Sequence, residues 1–308
     1  MRFWMGVTDN GWFSTLQSRA FDEINFWQPS PRPFLADAQP GMPFLFKLKR
    51  PHNHVAGGGF FVMQTTLPLN LAWEIFGPAN GADSFDAFRA LLEPLSVVDT
   101  HQEIGCTLLS NPVFLPREHW LGDPIPGWSP NIVRGKSYDT IEPDGASLWQ
   151  YMRPFLVRQQ QLAVPLAPEV ADSAEGYGAE RTVLPRLGQQ GFRIKVTEAY
   201  RRRCAVTKES TLIALEAAHI VPYAKEQQHE VSNGLLLRAD FHRLFDAGLV
   251  GIDADYRIRI SGRIRDLYYN GKSYYRLDGK TLENLPSATS DKPDRDRLNW
   301  HMQHCFQP

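Results

Sequence analysis

The chain has 308 residues, with 33 Lys and Arg against 34 Asp and Glu, 43% hydrophobic residues and 12% aromatic residues. This composition is typical of a folded protein long enough for two domains, and it excludes a disordered or fibrous chain. No apolar run approaches the ~18 residues of a membrane span, and no secretion signal opens the sequence, so we expect a cytoplasmic protein without a membrane partner. The three cysteines are far apart and form no CxxC pair. This spacing argues against a disulfide framework and excludes a four-cysteine zinc site.

The first segment, residues 1–150, is predicted to be rich in β-structure. Strands are expected around Phe44 and from Val55 to Met63, with turn-forming residues between them. Short helices are expected from Trp73 to Phe76 and from Ser84 to Leu92, followed by another strand from Ile104. Strands mixed with short helices over this length predict a small, partly open barrel.

The next stretch is predicted to connect two domains. A helical pattern runs from Ala146 to Leu162, where Pro154 is expected to bend or interrupt it. Residues 165–180 are rich in Pro, Ala, Glu and Gly and predict a linker. We therefore expect an α+β protein with a first domain at 1–150, a helical or linker segment at 151–183 and a second domain at 184–308.

Charge is distributed unevenly between these parts. Residues 184–308 contain 20 Lys and Arg against 15 Asp and Glu, whereas residues 1–183 contain 13 against 19. Nucleic-acid affinity is largely phosphate neutralisation, so the second domain is the better candidate for DNA contact. A helix predicted from Phe192 to Arg203 carries four of its basic residues, namely Arg193, Arg201, Arg202 and Arg203. The arginine run is either a solvated helix end or a phosphate contact.

The second domain contains a motif built around two histidines. A strand predicted from Leu212 to Leu215 leads to His219, and a second strand is predicted from Leu235 to Leu237. A helix is then expected from about Ala239 to Asp246, ended by Gly248. On that helix His242 and Asp246 are four residues apart and project from one face. Together they are suited to one divalent cation, Mg²⁺, Mn²⁺ or Zn²⁺.

This motif, with flanking sequence over about residues 186–305, resembles the HNH endonuclease family and its ββα-metal fold. The resemblance implies that His219 is the general base that deprotonates the attacking water. It implies that His242 and Asp246 bind the single cation. Asn233 would hold the loop between the strands, and Arg243 is a further candidate DNA contact. Two structural alternatives remain open: His219 as a hydrogen-bonded core histidine, and Asp246 as an ion-pair partner of Arg243.

One departure from the family pattern affects the metal site. Many members carry Asp or His immediately before the general base, and this chain has Ala218 there. Glu216, two residues earlier, faces the same side of a strand as position 218. It could bind the metal directly, bind it through water, or orient another ligand.

The first domain more weakly resembles the PUA-like group that includes EVE and SRA domains. The resemblance lies in aromatic and strand segments, at Trp4 to Asp9, Trp12-Phe13, Phe26-Trp27, the strand pair and Trp73 to Gly77. Such domains hold a flipped or modified base in an aromatic pocket. Asp9, Trp12 and Trp27 are therefore candidate pocket residues. The alternative is that these aromatic rings fill the core of a small barrel.

Taken together, the two resemblances predict a modification-dependent restriction endonuclease acting on double-stranded DNA. The first domain would recognise a modified base, a cytosine derivative, and the HNH domain would cut nearby. Double-strand breaks would require two HNH domains and therefore a homodimer. Two alternatives stay open: an HNH defence or phage-related DNase that senses another signal, and a non-catalytic DNA-binding protein with a decayed HNH site.

Overall fold

A computed structural model describes residues 1–35, 37–97, 99–162, 188–226 and 229–308. The chain divides into two compact units, Met1–Arg186 and Leu187–Pro308, here called unit 1 and unit 2. The linker predicted at residues 165–180 lies outside the described residues. Among the helices of the described ranges, none is both long and apolar enough to cross a membrane.

Unit 1 is built on one mixed sheet with helices on both faces. Its strands are β1 (Arg2–Thr8), β2 (Glu23–Gln28), β3 (Pro43–Leu48), β4 (Val55–Pro68), β5 (Glu103–Phe114) and β6 (Gly135–Asp139). Its helices are α1 (Asn10–Gln17), α2 (Leu69–Phe76), α3 (Phe85–Leu92) and α4 (Pro143–Leu162). The strand order is β2-β5-β4-β3-β1-β6, and the β1–β3 pair is parallel. Ser84, the first residue of the predicted helix, is the N-cap of α3, and α4 continues without interruption through Pro154.

The sheet curls strongly across its width. Two strands separate β2 from β3 in the sheet, so their side chains would be roughly 14 Å apart if the sheet were flat. The rings of Phe26 in β2 and Phe44 in β3 nevertheless have centroids 4.7 Å apart. Register shifts in β4 next to Gly58 and Phe61 provide local bends of the kind that β-bulges introduce. The first and last strands of the order, β2 and β6, are not paired with each other, so the predicted partly open barrel is confirmed.

Alternation along β3 divides the hydrophobic core of unit 1. Phe44 and Phe46 pack with Trp12 of α1 in one cluster. Leu45, on the opposite face, packs with Leu148 of α4 in another cluster. Burying both faces of a strand explains why β3 is apolar at nearly every position.

Unit 2 contains an antiparallel two-stranded ribbon followed directly by a helix. Its strands are β7 (Leu215–His219), β8 (Gly234–Arg238), β9 (Val250–Ile252) and β10 (Ile258–Ile260). Its helices are α5 (Gln189–Ala199), α6 (Tyr223–Glu226), α7 (Ala239–Asp246), α8 (Arg263–Tyr268), α9 (Lys272–Tyr275) and α10 (Arg295–His304). The β7–β8 ribbon and α7 form the ββα arrangement, with His219 opposite Gly234 in the ribbon.

Two predicted boundaries in unit 2 are wrong. Residues 212–214 form a 3-10 turn, in which the Ala214 amide donates to Thr211, and the strand begins only at Leu215. Helix α5 ends at Ala199 rather than at Arg203. Beyond this end the backbone turns back, because Asn284 donates its side-chain amide to the carbonyls of both Tyr200 and Arg203.

Candidate active site

The ββα arrangement places the two motif histidines close enough for the charge of His242 to act on His219. His219 is the last residue of β7, and His242 lies in the second turn of α7. Helix α7 begins directly after β8, so the ribbon fixes where the helix starts. Helix α7 ends at Asp246, as predicted, and Gly248 takes the left-handed φ of +70° after it.

His242 lies between two carboxylates. Its Nδ1 is 2.6 Å from Oε2 of Glu216, and its Nε2 is 3.3 Å from Oδ2 of Asp246. The two carboxylates therefore contact opposite nitrogens of one imidazole ring. A carboxylate on Nδ1 fixes the ring orientation and leaves Nε2 as the nitrogen that faces Asp246. Asp246 contacts His242, and the predicted alternative of an ion pair with Arg243 is not found in the described residues.

A divalent cation fits the Nε2 and Asp246 side of this ring. Two donor atoms that lie ~2.1 Å from the same metal, with about a right angle between them at the metal, are ~3 Å apart. This is close to the distance between Nε2 of His242 and Oδ2 of Asp246. In the part of the chain that the structure describes, no group of three or more His, Cys, Asp or Glu side chains is placed to hold a metal. The protein therefore offers two donors here, which suits an ion that retains water ligands, such as Mg²⁺.

His219 is held in a partly buried aromatic environment. Its ring stacks on Phe192 of α5, with centroids 3.9 Å apart and planes inclined by 9°. Burial lowers the pKa of His219 to about 4, and the charges of His229 and His242 act in the same direction. The imidazole is therefore neutral near pH 7 and able to accept a proton, as a general base must.

Asn233 is fully buried and clamps the loop that follows β7. Its side-chain oxygen accepts a hydrogen bond from the Val221 amide at 2.8 Å, and its side-chain nitrogen donates to the Val221 carbonyl at 2.9 Å. The next residue, Gly234, packs against α5, where an added Cβ would lie 2.4 Å from Cγ2 of Val196. The Asn-Gly pair thus serves close packing at the start of β8 rather than a hairpin turn.

The predicted DNA-contacting arginines differ in their availability. Arg201 donates to the Asn284 side chain and the Leu285 carbonyl, and Arg202 pairs with Glu198. Arg193 is half-buried on α5, and Arg203 and Arg243 are exposed. Of the predicted set, Arg201, Arg203 and Arg243 are exposed, and Arg201 is already engaged in hydrogen bonds.

The three candidate pocket residues of unit 1 all make contacts within the unit, and Trp12 is the buried one. Trp12 is 2% exposed, its ring packs edge-on against Phe26 and Phe46, and its indole N–H donates to the Asn25 carbonyl. The Asp9 carboxylate caps α1 and pairs with Lys49. The Trp27 indole donates to the Asn80 carbonyl. Trp12 therefore fills the barrel core, which was the structural alternative, whereas Asp9 caps a helix.

Sequence reasoning missed one residue of the site. His229 lies in the segment between α6 and β8, and its Nδ1 is 3.2 Å from Nε2 of His219. Its ring stacks on Tyr223, with centroids 4.2 Å apart and planes inclined by 10°. The two histidines are ten positions apart in the sequence, so neither helical nor strand periodicity could indicate their contact.

Comparison with known proteins identifies the nature of the ββα arrangement. Residues 204–253, which include β7, β8 and α7, match the model of the HNH endonuclease family. Unit 2 therefore contains an HNH endonuclease domain. No curated protein sequence matches the chain.

Several solved structures show a weaker likeness. An ASCH protein from Zymomonas mobilis, whose domain is PUA-like, has a TM-score of 0.34 and 12% identity, covering 47% of this chain and 94% of its own. A mutant of that protein has a TM-score of 0.33 and 13% identity over the same shares. The modification-dependent TagI restriction endonuclease has a TM-score of 0.28 and 14% identity, covering 92% of this chain and 75% of its own.

Proposed function

We propose that this protein is a divalent-metal-dependent DNA endonuclease whose cutting site lies in unit 2. The observation that carries the proposal is the placement of Glu216, His242 and Asp246 on the same ββα arrangement as His219. This arrangement lies inside the stretch that matches the HNH endonuclease family.

The side chains of this site have distinct chemical tasks. His219, neutral near pH 7, takes a proton from the water that attacks the phosphodiester. His242 through Nε2 and Asp246 through Oδ2 would hold one Mg²⁺ or Mn²⁺, and Zn²⁺ is the alternative cation. The bound ion supplies positive charge that neutralises the phosphate and supports the leaving oxygen. Glu216 orients His242 through Nδ1, so the missing ligand at Ala218 is left to water.

DNA is the substrate that the surroundings of the site favour. The second half of the chain carries the excess of basic residues, and the exposed Arg203 and Arg243 are available for backbone phosphates. Contacts of this type position a duplex without selecting a sequence, so targeting requires another part of the chain.

We assign targeting to unit 1, as the reader of a modified base, a cytosine derivative. A cleft of about 900 Å³ in unit 1 is lined in part by Trp149, Gln150 and Arg153. An aromatic ring, an amide and a cation are the groups that hold a base removed from the stack. The cleft is therefore a better candidate pocket than the buried Trp12. A double-strand break would require two HNH sites, and hence a homodimer.

Cleavage of a matched DNA panel tests both parts of this proposal. The same sequence is prepared unmodified, methylated and hydroxymethylated at cytosine, and each is incubated with the full chain and Mg²⁺ or Mn²⁺. Preferential cutting of a modified DNA is expected, and Trp149→Ala should reduce that preference without abolishing cutting. Equal cutting of all three DNAs would refute base reading while leaving the nuclease assignment intact. No cutting of any DNA would refute the nuclease.

A further inference from the structure

A hydrogen bond between His219 and His229 bears on which nitrogen of His219 is free to accept a proton from water. Nε2 of His219 and Nδ1 of His229 are 3.2 Å apart. Both rings are held in place by stacking, His219 on Phe192 and His229 on Tyr223. Two stacked rings keep their planes fixed, so the nitrogen-to-nitrogen contact is defined on both sides.

A hydrogen bond between two neutral imidazoles contains one proton, which gives two possible states. If His229 donates, the lone pair on Nε2 of His219 is used, and its other nitrogen, Nδ1, carries the ring proton. His219 then has no free lone pair and cannot act as a base. If His219 donates from Nε2, its Nδ1 lone pair is free to accept a proton from water.

We propose that His229 is a positioning residue that accepts the Nε2 proton of His219 and so keeps Nδ1 of His219 unprotonated. The inference rests on the proposed nuclease function and deepens it. His229 does for His219 what an orienting carboxylate does for histidine in other general-base pairs. Burial lowers the pKa of His229, which favours the neutral imidazole that can accept this hydrogen bond.

The reaction balances with this assignment. An O–H bond of the attacking water breaks, and its proton goes to Nδ1 of His219. The water oxygen forms a bond to phosphorus as the bond between phosphorus and the leaving oxygen breaks, and the leaving oxygen takes a proton from solvent. His219 becomes an imidazolium, and its Nε2–H bond to His229 becomes charge-assisted and therefore stronger.

The tautomer of His219 can be measured without any cleavage. Two-bond proton–nitrogen correlation spectra of the full-length ¹⁵N-histidine-labelled chain distinguish the two tautomers, and the His219→Ala spectrum assigns the His219 signals. The proposal predicts that wild-type His219 is protonated at Nε2. Protonation at Nδ1 would overturn it, whether or not the protein cuts DNA.

Two variants of His229 test the consequence for cutting. His229→Phe keeps a ring to stack on Tyr223 but removes the acceptor, whereas His229→Asn places an acceptor oxygen near the position of Nδ1. Loss of an orienting partner typically costs 10- to 100-fold in activity, so we expect His229→Phe to lower kcat by about that factor with KM for DNA unchanged. We expect His229→Asn to retain most of the wild-type kcat.

The outcomes separate this inference from the proposed function. Cutting by His229→Phe at the wild-type rate, together with an inactive His219→Ala, would overturn the role of His229 and leave the nuclease assignment standing. If the wild type cuts no DNA, the proposed function fails, and the tautomer measurement still decides whether His229 positions His219. Thermal unfolding of both variants checks that they are folded.

Discussion

Oε2 of Glu216 lies 2.6 Å from Nδ1 of His242, on the side of the imidazole opposite Asp246. Glu216 is the second residue of β7 and His242 the fourth residue of α7, so this contact ties the strand to the helix. This position favours an orienting role for Glu216 toward His242 rather than direct metal binding by Glu216. In the proposed metal site, this contact would hold His242 in one orientation, although Ala218 stands at the usual ligand position.

Removing this contact should weaken metal binding more than it weakens the fold. For Glu216→Ala we expect a 10- to 100-fold higher Mn²⁺ concentration at half-maximal nicking, the usual effect of losing a partner of a ligating histidine. Glu283→Ala is the matched control, because Glu283 forms an exposed ion pair with Lys208 in the same unit. An unchanged Mn²⁺ requirement in Glu216→Ala would contradict the orienting role.

The packing of β8 on α5 can be tested with Gly234→Ala, with Gly262→Ala as its matched control. A methyl group at Gly234 would meet Val196, and such overpacking costs roughly 1–3 kcal/mol of unfolding free energy. At Gly262 an added Cβ meets nothing within 4 Å, and φ is −58°. Gly262→Ala should thus be neutral or stabilise by up to about 1 kcal/mol. Chemical denaturation of both variants measures the difference; equal stabilities would refute the close approach.

Asn233→Ala should destabilise unit 2, because the amide and carbonyl of Val221 both lose their partner. Leaving two buried polar groups unsatisfied costs roughly 2–5 kcal/mol. Asn270→Ala, at an exposed position, serves as the control. The same denaturation measurement applies, and a loss in Asn233→Ala no larger than in the control would show that the clamp contributes nothing.

His301 should make the protein less stable in mild acid. It is 2% exposed and stacks on Phe245 of α7, with centroids 3.7 Å apart. Burial lowers the pKa of His301 from 6.5 to about 4, so the folded state disfavours its protonated form. The unfolded state binds the proton more readily, so the free energy of unfolding is highest above pH 6.5. It falls by about 3 kcal/mol as the pH drops from 6.5 toward 4.

His301→Gln should flatten the dependence of unfolding free energy on pH between 6.5 and 4. His304→Gln, which removes an exposed histidine from the same helix, should leave that dependence unchanged. Identical pH profiles for His301→Gln and the wild type would show that another group causes the acid sensitivity.

Sequence alone predicts the parts of the site that depend on local pattern. Helix α7 has the predicted ends, because the spacing of His242 and Asp246 and the glycine at 248 are local signals. The turn at Arg201 could not be predicted, since it depends on Asn284, more than eighty residues away in the chain. The contact of His219 with His229 could not be predicted either, because no helical or strand spacing relates the two positions. A tryptophan such as Trp12 is expected in a barrel core as well as in a base pocket. Only its long-range packing distinguishes the two roles.

The most direct test of the account is nicking of closed-circular DNA by the wild type and by His219→Ala. Both proteins are incubated with Mg²⁺ or Mn²⁺ and with modified and unmodified DNA. The proposed nuclease function predicts nicking by the wild type and loss of nicking with a chelator. It also predicts a rate at least about 100-fold lower in His219→Ala, as expected for a general base. Cutting by His219→Ala at the wild-type rate would contradict it.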